Sequence, residues 1–195
     1  MQIDLLKPDK PSLITKWGHI VAAVSHLNKW DTPEEIAWLC ELASISESHL
    51  EFGAYNGGST KAMMLANPSL KITTVDLWDD AGTRDLFRSA LSKEIEEGRV
   101  IDHHCSTEEA AAKLEGQTFQ TCFIDAAHTF AEVRKDIENC LKLIPKGFIS
   151  GHDYRHDIPD DGVNRAVNEL LNPVHFPVDS IWCYLNGKGR KGFYA

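Results

Sequence analysis

The residues best suited to chemistry fall in four short stretches, each at the end of an apolar run. The first is the turn Glu51-Phe-Gly-Ala-Tyr-Asn-Gly-Gly-Ser-Thr60. Gly53 lets the chain turn sharply as it leaves the run, and Gly57 and Gly58 let backbone approach a ligand without Cβ clashes. Ser59 and Thr60 lie in the first turn of the helix that follows. Its free N–H groups and positive dipole end favour an anionic group. A tight connection that binds nothing could use the same glycines. The second feature is Asp76, which ends the next apolar run 23 residues past Gly53. An acid about 20 residues beyond such a turn grips ribose hydroxyls in Rossmann-type folds; its plainer alternative is a loop cap. The G-x-G-x-x-G spacing of a nicotinamide dehydrogenase is not met, because Tyr55 stands where its second glycine belongs.

The third stretch is Phe123-Ile-Asp125-Ala-Ala-His128, and the fourth is Ser150-Gly-His152-Asp153-Tyr154. Both put polar residues where ligands bind in open α/β sheets, outside the carboxyl ends of strands. Asp125, His152 and Asp153 could supply three ligands to one divalent cation. Carboxylate oxygens with one imidazole suit Mg²⁺, Mn²⁺ or Fe²⁺ better than a closed zinc site, which would want thiolates. His128 lies at the mouth of the next helix and faces the same crevice, where its ordinary pKa near 6.5 suits a general base. The alternative for the whole set is that these Asp and His residues cap turns. His103-His104 reads as a solvated strand end.

The elements that must hold these groups alternate along the chain. Leu13, Trp17, Ile20, Val21, Val24 and Leu27 are spaced by three and four, the stripe of an amphipathic helix over 12–28. Thr32-Pro33-Glu34-Glu35 supplies an N-cap, a first-turn proline and a capping-box acid for a helix through about Ala43. Strands are expected at 49–52, 71–76, 100–105, 120–125 and 148–151, with helices over 59–66, 83–97, 107–115, 129–143 and 163–171 between and after them. Gly98 is placed as a helix-ending C′ glycine. Ser180–Leu185 with Gly192–Ala195 closes the chain as an antiparallel pair, and Lys188–Lys191 reads as its solvated tip. Alternation over the whole length predicts an α/β fold with a mostly parallel seven-stranded sheet, an antiparallel C-terminal strand and helices on both faces. A single domain over 1–195 is expected, with helices at about 12–43 as a cap and a core at about 45–195.

The 195 residues carry a formal net charge of −9, which opposes an extended nucleic-acid surface. Five cysteines, an odd count with no C-x-x-C pair, read as small buried hydrophobes in a reducing compartment. No apolar run approaches the ~20 residues of a membrane span, and the N-terminus lacks a signal-peptide core. A soluble, cytoplasmic protein is expected, without nucleic-acid or membrane partners; a homo-oligomer is compatible with the sequence.

The turn at 51–59 resembles the cofactor turn of catechol O-methyltransferases almost position for position. Residues 123–136 with 145–154 are similar to the second half of the sugar and macrolide O-methyltransferases. The likeness to class I S-adenosylmethionine-dependent methyltransferases covers roughly 45–172 and implies a Rossmann-like fold. It further implies Glu51, Gly53 and Tyr55 near the methionine end of the cofactor, Gly57 in its turn, and Ser59 on the carboxylate. Asp76 would take the ribose, Leu77 and Trp78 the adenine face, and Ser106 and Thr107 the adenine edge. Asp125 would border the cofactor and, with His152 and Asp153, occupy the metal positions for Mg²⁺ or another divalent cation; His128 falls at the general base. Catechol enzymes carry Lys where this chain has His128, which disfavours catechol as substrate. His152 stands where a carboxylate is usual.

The resemblance implies methyl transfer to a hydroxyl of a small-molecule acceptor. The alternatives are a non-catalytic S-adenosylmethionine-binding module and a metal-dependent hydrolase or hydroxylase using the Asp/His set alone. Residues 1–30 and Tyr154–Gly162, with His156, Asp157, Asp160 and Asp161, are expected to shape the acceptor site.

Overall fold

A computed structural model describes residues 4–158 and 160–187. The first helix, α1 (Lys10–Val24), starts where Asp9 caps the Ser12 N–H, and it buries Leu13, Trp17, Ile20 and Val24. The second, α2 (Pro33–Ser44), opens with the expected capping box, Thr32 and Glu35 bonding each other's backbone. A parallel core follows: β1 (Ser48–Phe52), α3 (Gly58–Ala66), β2 (Lys71–Asp76), α4 (Thr83–Ala90), α5 (Ser92–Glu96) and β3 (Val100–His104). It continues through α6 (Thr107–Lys113), β4 (Thr121–Ile124), α7 (Phe130–Leu143), β5 (Gly147–Gly151), α8 (Gly162–Leu170) and β6 (Trp182–Asn186).

The sheet order is β3-β2-β1-β4-β5-β6, parallel except for β6, which runs antiparallel to β5. Side chains alternate across it with period two. Leu50, Phe52, Cys122, Ile124 and Ile149 join the core under α6, α7 and α8, while Ile72, Phe123 and Phe148 join the core under α1, α2 and α3. The strand order reverses between β1 and β4, the switch point at which open α/β sheets bind ligands.

Two expectations are corrected. The sheet has six strands among the described residues, not seven. The expected seventh, Gly192–Ala195, and the tip Lys188–Lys191 lie outside those residues, and the outer edge of β6 carries a single antiparallel bridge from Cys183 to His175. The single helix expected over 83–97 breaks at Leu91, which leaves helical geometry with φ −112° and ψ 14°. Leu91 is fully buried, and its Cδ1 would lie 3.1 Å from any Cβ at Gly57, so packing under the glycine turn overrides local helix preference. Gly98 has φ +67° and ends α5 as expected.

Candidate active site

The turn after β1 leans against the end of β4. Gly53 has φ +88°, and a Cβ there would collide with the backbone carbonyl of Asp125, so only glycine fits. Beneath the turn Glu51 is fully buried, accepting from Ser59 Oγ at 2.6 Å and from the Thr60 hydroxyl. Burial, reinforced by the charges of Asp125 and Asp31, raises its carboxyl to about 7 against the two hydroxyl bonds. The helix α3 begins at Gly57 (φ +84°) with no side chain on its first N–H groups. Across the crevice, Asp76 Oδ2 accepts from the Ala54 and Tyr55 N–H groups, both at 2.8 Å, and its Oδ1 accepts from Trp78 N at 2.6 Å. The Trp78 ring N–H returns to the Tyr55 carbonyl at 2.8 Å. Tyr55 (φ 44°), Trp78 (φ 44°) and Asp153 (φ 60°) are three of the four non-glycine residues at positive φ among the described residues. All three follow strand ends, where strained backbone gathers at functional sites.

The turn, Asp76 and Trp78 line one cavity of about 460 Å³, within the range of small-ligand pockets. One end lies between Trp78, Leu77, Ser106 and Thr107; the middle passes Asp76 and the turn 53–59; the other end reaches Asp125, Asp31 and the exposed Trp30. Trp78 is seated against Phe87, with ring centres 5.1 Å apart. Ser106 caps α6, accepting from Glu109 N at 3.2 Å.

Beyond Asp125 lies a cluster of carboxylates and imidazoles. His152 is buried, with Glu35 Oε2 3.2 Å and Asp31 Oδ1 3.8 Å from Nε2, and Asp153 Oδ1 3.6 Å and Asp125 Oδ1 3.7 Å from Nδ1. Burial lowers its pKa, but Asp153 and Glu35 raise it further, to about 11. Burial pushes Glu35 up, yet His152 and the Thr32 N–H outweigh it and hold the carboxyl at about 2. Burial and the Asp125 charge bring Asp31 up to about 6. His128 is more than half exposed, 2.9 Å from Asp153 and 3.9 Å from Asp125. Asp125 and Asp153 together raise it to about 10, and the same pairing, with His152, holds Asp153 far below the usual carboxylate range. Ligand atoms converge in two overlapping trios, Asp31–Asp125–His152 and Asp125–His128–Asp153, with Asp125 common to both.

A family model described as a methyltransferase domain matches residues 50–154, more than half of the chain. The chain belongs to the methyltransferase domain family. No curated protein matches the sequence. Among solved structures, an O-methyltransferase from Bacillus cereus in complex with S-adenosylhomocysteine (SAH) is 19% identical, with 91% of this chain and 92% of that one covered at a TM-score of 0.63. The O-methyltransferase TomG from Streptomyces achromogenes, involved in tomaymycin synthesis and solved with S-adenosylmethionine (SAM), is 17% identical, covering 94% and 92% at 0.63. An SAM-dependent O-methyltransferase from Thermotoga maritima is 11% identical, covering 88% and 72% at 0.64. At these identities the likeness is one of fold.

In this methyltransferase domain the expected residues of the turn, Asp76 to Trp78, Ser106, Thr107 and Asp125 line the cavity, Glu51 and Gly57 pack behind the turn, and His128, His152 and Asp153 stand beyond Asp125. Four others were not singled out from the sequence. Asn56 lines the cavity, buried, with its Oδ1 lacking any hydrogen-bond partner. Asn28 fastens the loop at 28–31 and packs against Gly58. Asp31 and Glu35 reach His152 from the start of α2. The Thr-Pro-Glu-Glu signature flagged that helix start, but only as a cap. Of the residues expected to shape the acceptor site, Asp161 caps α8 and His156 stacks on Tyr154 with centres 5.0 Å apart. His104 is exposed, its Nδ1 3.1 Å from Arg84.

Proposed function

We propose that this protein transfers the methyl group of S-adenosylmethionine to a hydroxyl oxygen of a small-molecule acceptor, with a divalent cation assisting. The observation that carries the reading is the single cavity that joins the glycine turn, Asp76 and Trp78 to Asp125, beside which His128 stands. Its donor and acceptor pattern suits each part of the cofactor. The uncapped N–H groups of α3 fit a carboxylate. Ser59, expected on the carboxylate, instead gives its hydroxyl proton to Glu51, so its Oγ lone pairs and Asn56 Oδ1 fit an ammonium. Asp76 Oδ1 keeps a lone pair for a ribose hydroxyl, and the Trp78 and Leu77 side chains offer an apolar face to adenine, with Ser106 and Thr107 at its edge.

The sulfonium is already activated, so the chain's own contribution is orientation and removal of one proton. His128 is the group that accepts that proton. The charges of Asp125 and Asp153 hold it protonated; once they are neutralised, its value falls back toward about 6.5 and the imidazole can act as base near neutral pH. The donor set, carboxylate oxygens converging on an imidazole with Asp153 Oδ1 and Asp125 Oδ1 3.6 and 3.7 Å from His152 Nδ1, fits a divalent cation. Asp125, His152 and Asp153 would hold it, and when bound it would neutralise the carboxylates and polarise the acceptor hydroxyl.

Calorimetric titration with S-adenosylmethionine, S-adenosylhomocysteine and NAD tests the reading. Binding of the first two and not the third is expected; no binding of either methionine derivative would end it.

A further inference from the structure

We propose that Asp31 is a direct ligand of the divalent-cation site, completing it with Asp125 and His152, so that the segment before α2 helps build a centre otherwise made from strand ends. This rests on the cation-assisted reading above. One ligand atom each from Asp31, Asp125 and His152 lies within 4.8 Å of the others. Asp31 Oδ1 and His152 Nε2 face each other at 3.8 Å, and both atoms are buried with no hydrogen-bond partner. His152 is only 8% exposed. Their contact is an ion pair longer than a hydrogen bond, so neither atom has a hydrogen-bonding partner and both lone-pair directions stay open to a shared one. One cation satisfies both: atoms each about 2.1 Å from a common ion lie roughly 3–4 Å apart.

Glu35 does not compete for this role. Its Oε2 lies 3.2 Å from Nε2 but is not aligned to accept from the ring, and it accepts instead from Thr32 N at 2.8 Å. Its Oε1 accepts from Ser180 N at 2.9 Å and Ser180 Oγ at 2.7 Å. Glu35 therefore fastens α2 to the loop before β6, while Asp31 keeps a free oxygen.

Asp31 is also held where a ligand would have to be. Asn28 Oδ1 accepts from its N–H at 3.2 Å and Asn28 Nδ2 donates to its carbonyl at 2.8 Å. The backbone of Asn28 in turn packs on Gly58, where a Cβ would lie 3.2 Å from Asn28 Cα. The loop is thus clamped to the start of α3, and the Asp31 side chain, 12% exposed, points inward at the cavity. Two carboxylates and one imidazole are a donor set for Mn²⁺, Mg²⁺ or Fe²⁺.

The test is a Mn²⁺ titration of the full chain, followed by the paramagnetic resonance of free Mn²⁺, with S-adenosylhomocysteine affinity measured in parallel. Asp31→Asn is expected to weaken Mn²⁺ at least about tenfold while retaining S-adenosylhomocysteine. Glu34→Gln, the same charge change in the same turn, should leave Mn²⁺ affinity as in the wild type. Asp31→His keeps a ligand but exchanges oxygen for nitrogen, so the Zn²⁺-over-Mn²⁺ preference should rise about tenfold; a merely structural aspartate would not move that ratio. Mn²⁺ binding by Asp31→Asn at wild-type strength, or an unchanged ratio in Asp31→His, overturns the proposal. Wild-type protein that binds S-adenosylhomocysteine but no Mn²⁺ also overturns it and leaves methyl transfer standing. Failure to bind S-adenosylhomocysteine would instead sink the cofactor reading.

Discussion

Replacing Glu51 by Gln should change how the stability of this protein depends on pH. Glu51 is fully buried, and its carboxyl rises from 4.5 to about 7 because burial, helped by Asp125 and Asp31, disfavours the charge. Between those two values the folded protein keeps a proton that the unfolded chain releases. The contribution is therefore fully present below about pH 4.5, and it is lost as pH rises through about 7. At about 1.4 kcal/mol per pH unit the loss amounts to roughly 3 kcal/mol. Gln keeps the shape and does not titrate, its Oε1 accepting from one of the Ser59 and Thr60 hydroxyls while its Nε2 donates to the other. Urea denaturation of both proteins from about pH 5 to about pH 8 gives the comparison, with equal slopes m as the check on two-state behaviour. All other groups are common to both proteins, so the difference curve reports Glu51 together with its coupling to Asp125 and Asp31. Glu51→Gln should gain on the wild type from about pH 5 to about pH 7 and level off above that. A difference that stays flat with pH would refute the argument that burial governs this carboxyl.

Gly53→Ala should lower the urea midpoint by more than the roughly 1–2 kcal/mol of left-handed backbone strain, because its Cβ must also displace the Asp125 carbonyl; an unchanged midpoint would contradict that contact. His128→Ala should cut the methylation rate with any confirmed acceptor by about 10²–10⁴, seen in kcat, whereas wild-type turnover would remove it as the base. The pH profile of kcat/KM should rise through a lower pH with Mg²⁺ than without it, since Asp125 and Asp153 alone hold His128 at about 10; coincident profiles would separate His128 from those carboxylates. Saturating Mg²⁺, at about 100 times its dissociation constant, should add about 2.7 kcal/mol of stability and raise Tm, and exhaustive chelation should reverse it.

Much of the frame is legible in the sequence because it rests on local rules. The Thr32 capping box, the β-branched run at 71–76 and the Gly98 stop all act through neighbours within a few positions, and the element order follows from them. The break at Leu91 is not legible, because every residue there tolerates a helix and the cause is packing under Gly57. At the site, strand ends mark Asp76, Asp125, His128, His152 and Asp153, since their chemistry and their position coincide. Asn56 belongs to a turn that is plain to read, but its unpaired oxygen exists only once the turn has closed. Asp31 and His152 are 121 positions apart, and no periodicity ties a residue ahead of a helix cap to the end of β5. Glu35 is harder still, for its capping role accounts for its type and conceals the second contact.

The bonds of Asp76 carry a practical consequence for anyone building an inactive control. An acid in this position is the natural one to delete in order to blind an enzyme to its cofactor. Here the same two oxygens hold the Ala54, Tyr55 and Trp78 N–H groups, so Asp76→Ala would unfasten the loop as well as remove the proposed ribose contact. A phenotype from that variant could not be apportioned between lost recognition and a misshapen scaffold. Subtler changes that spare these three bonds, at the half-exposed, cavity-lining Leu77 for example, would make cleaner instruments for asking what cofactor binding alone is worth to the cell.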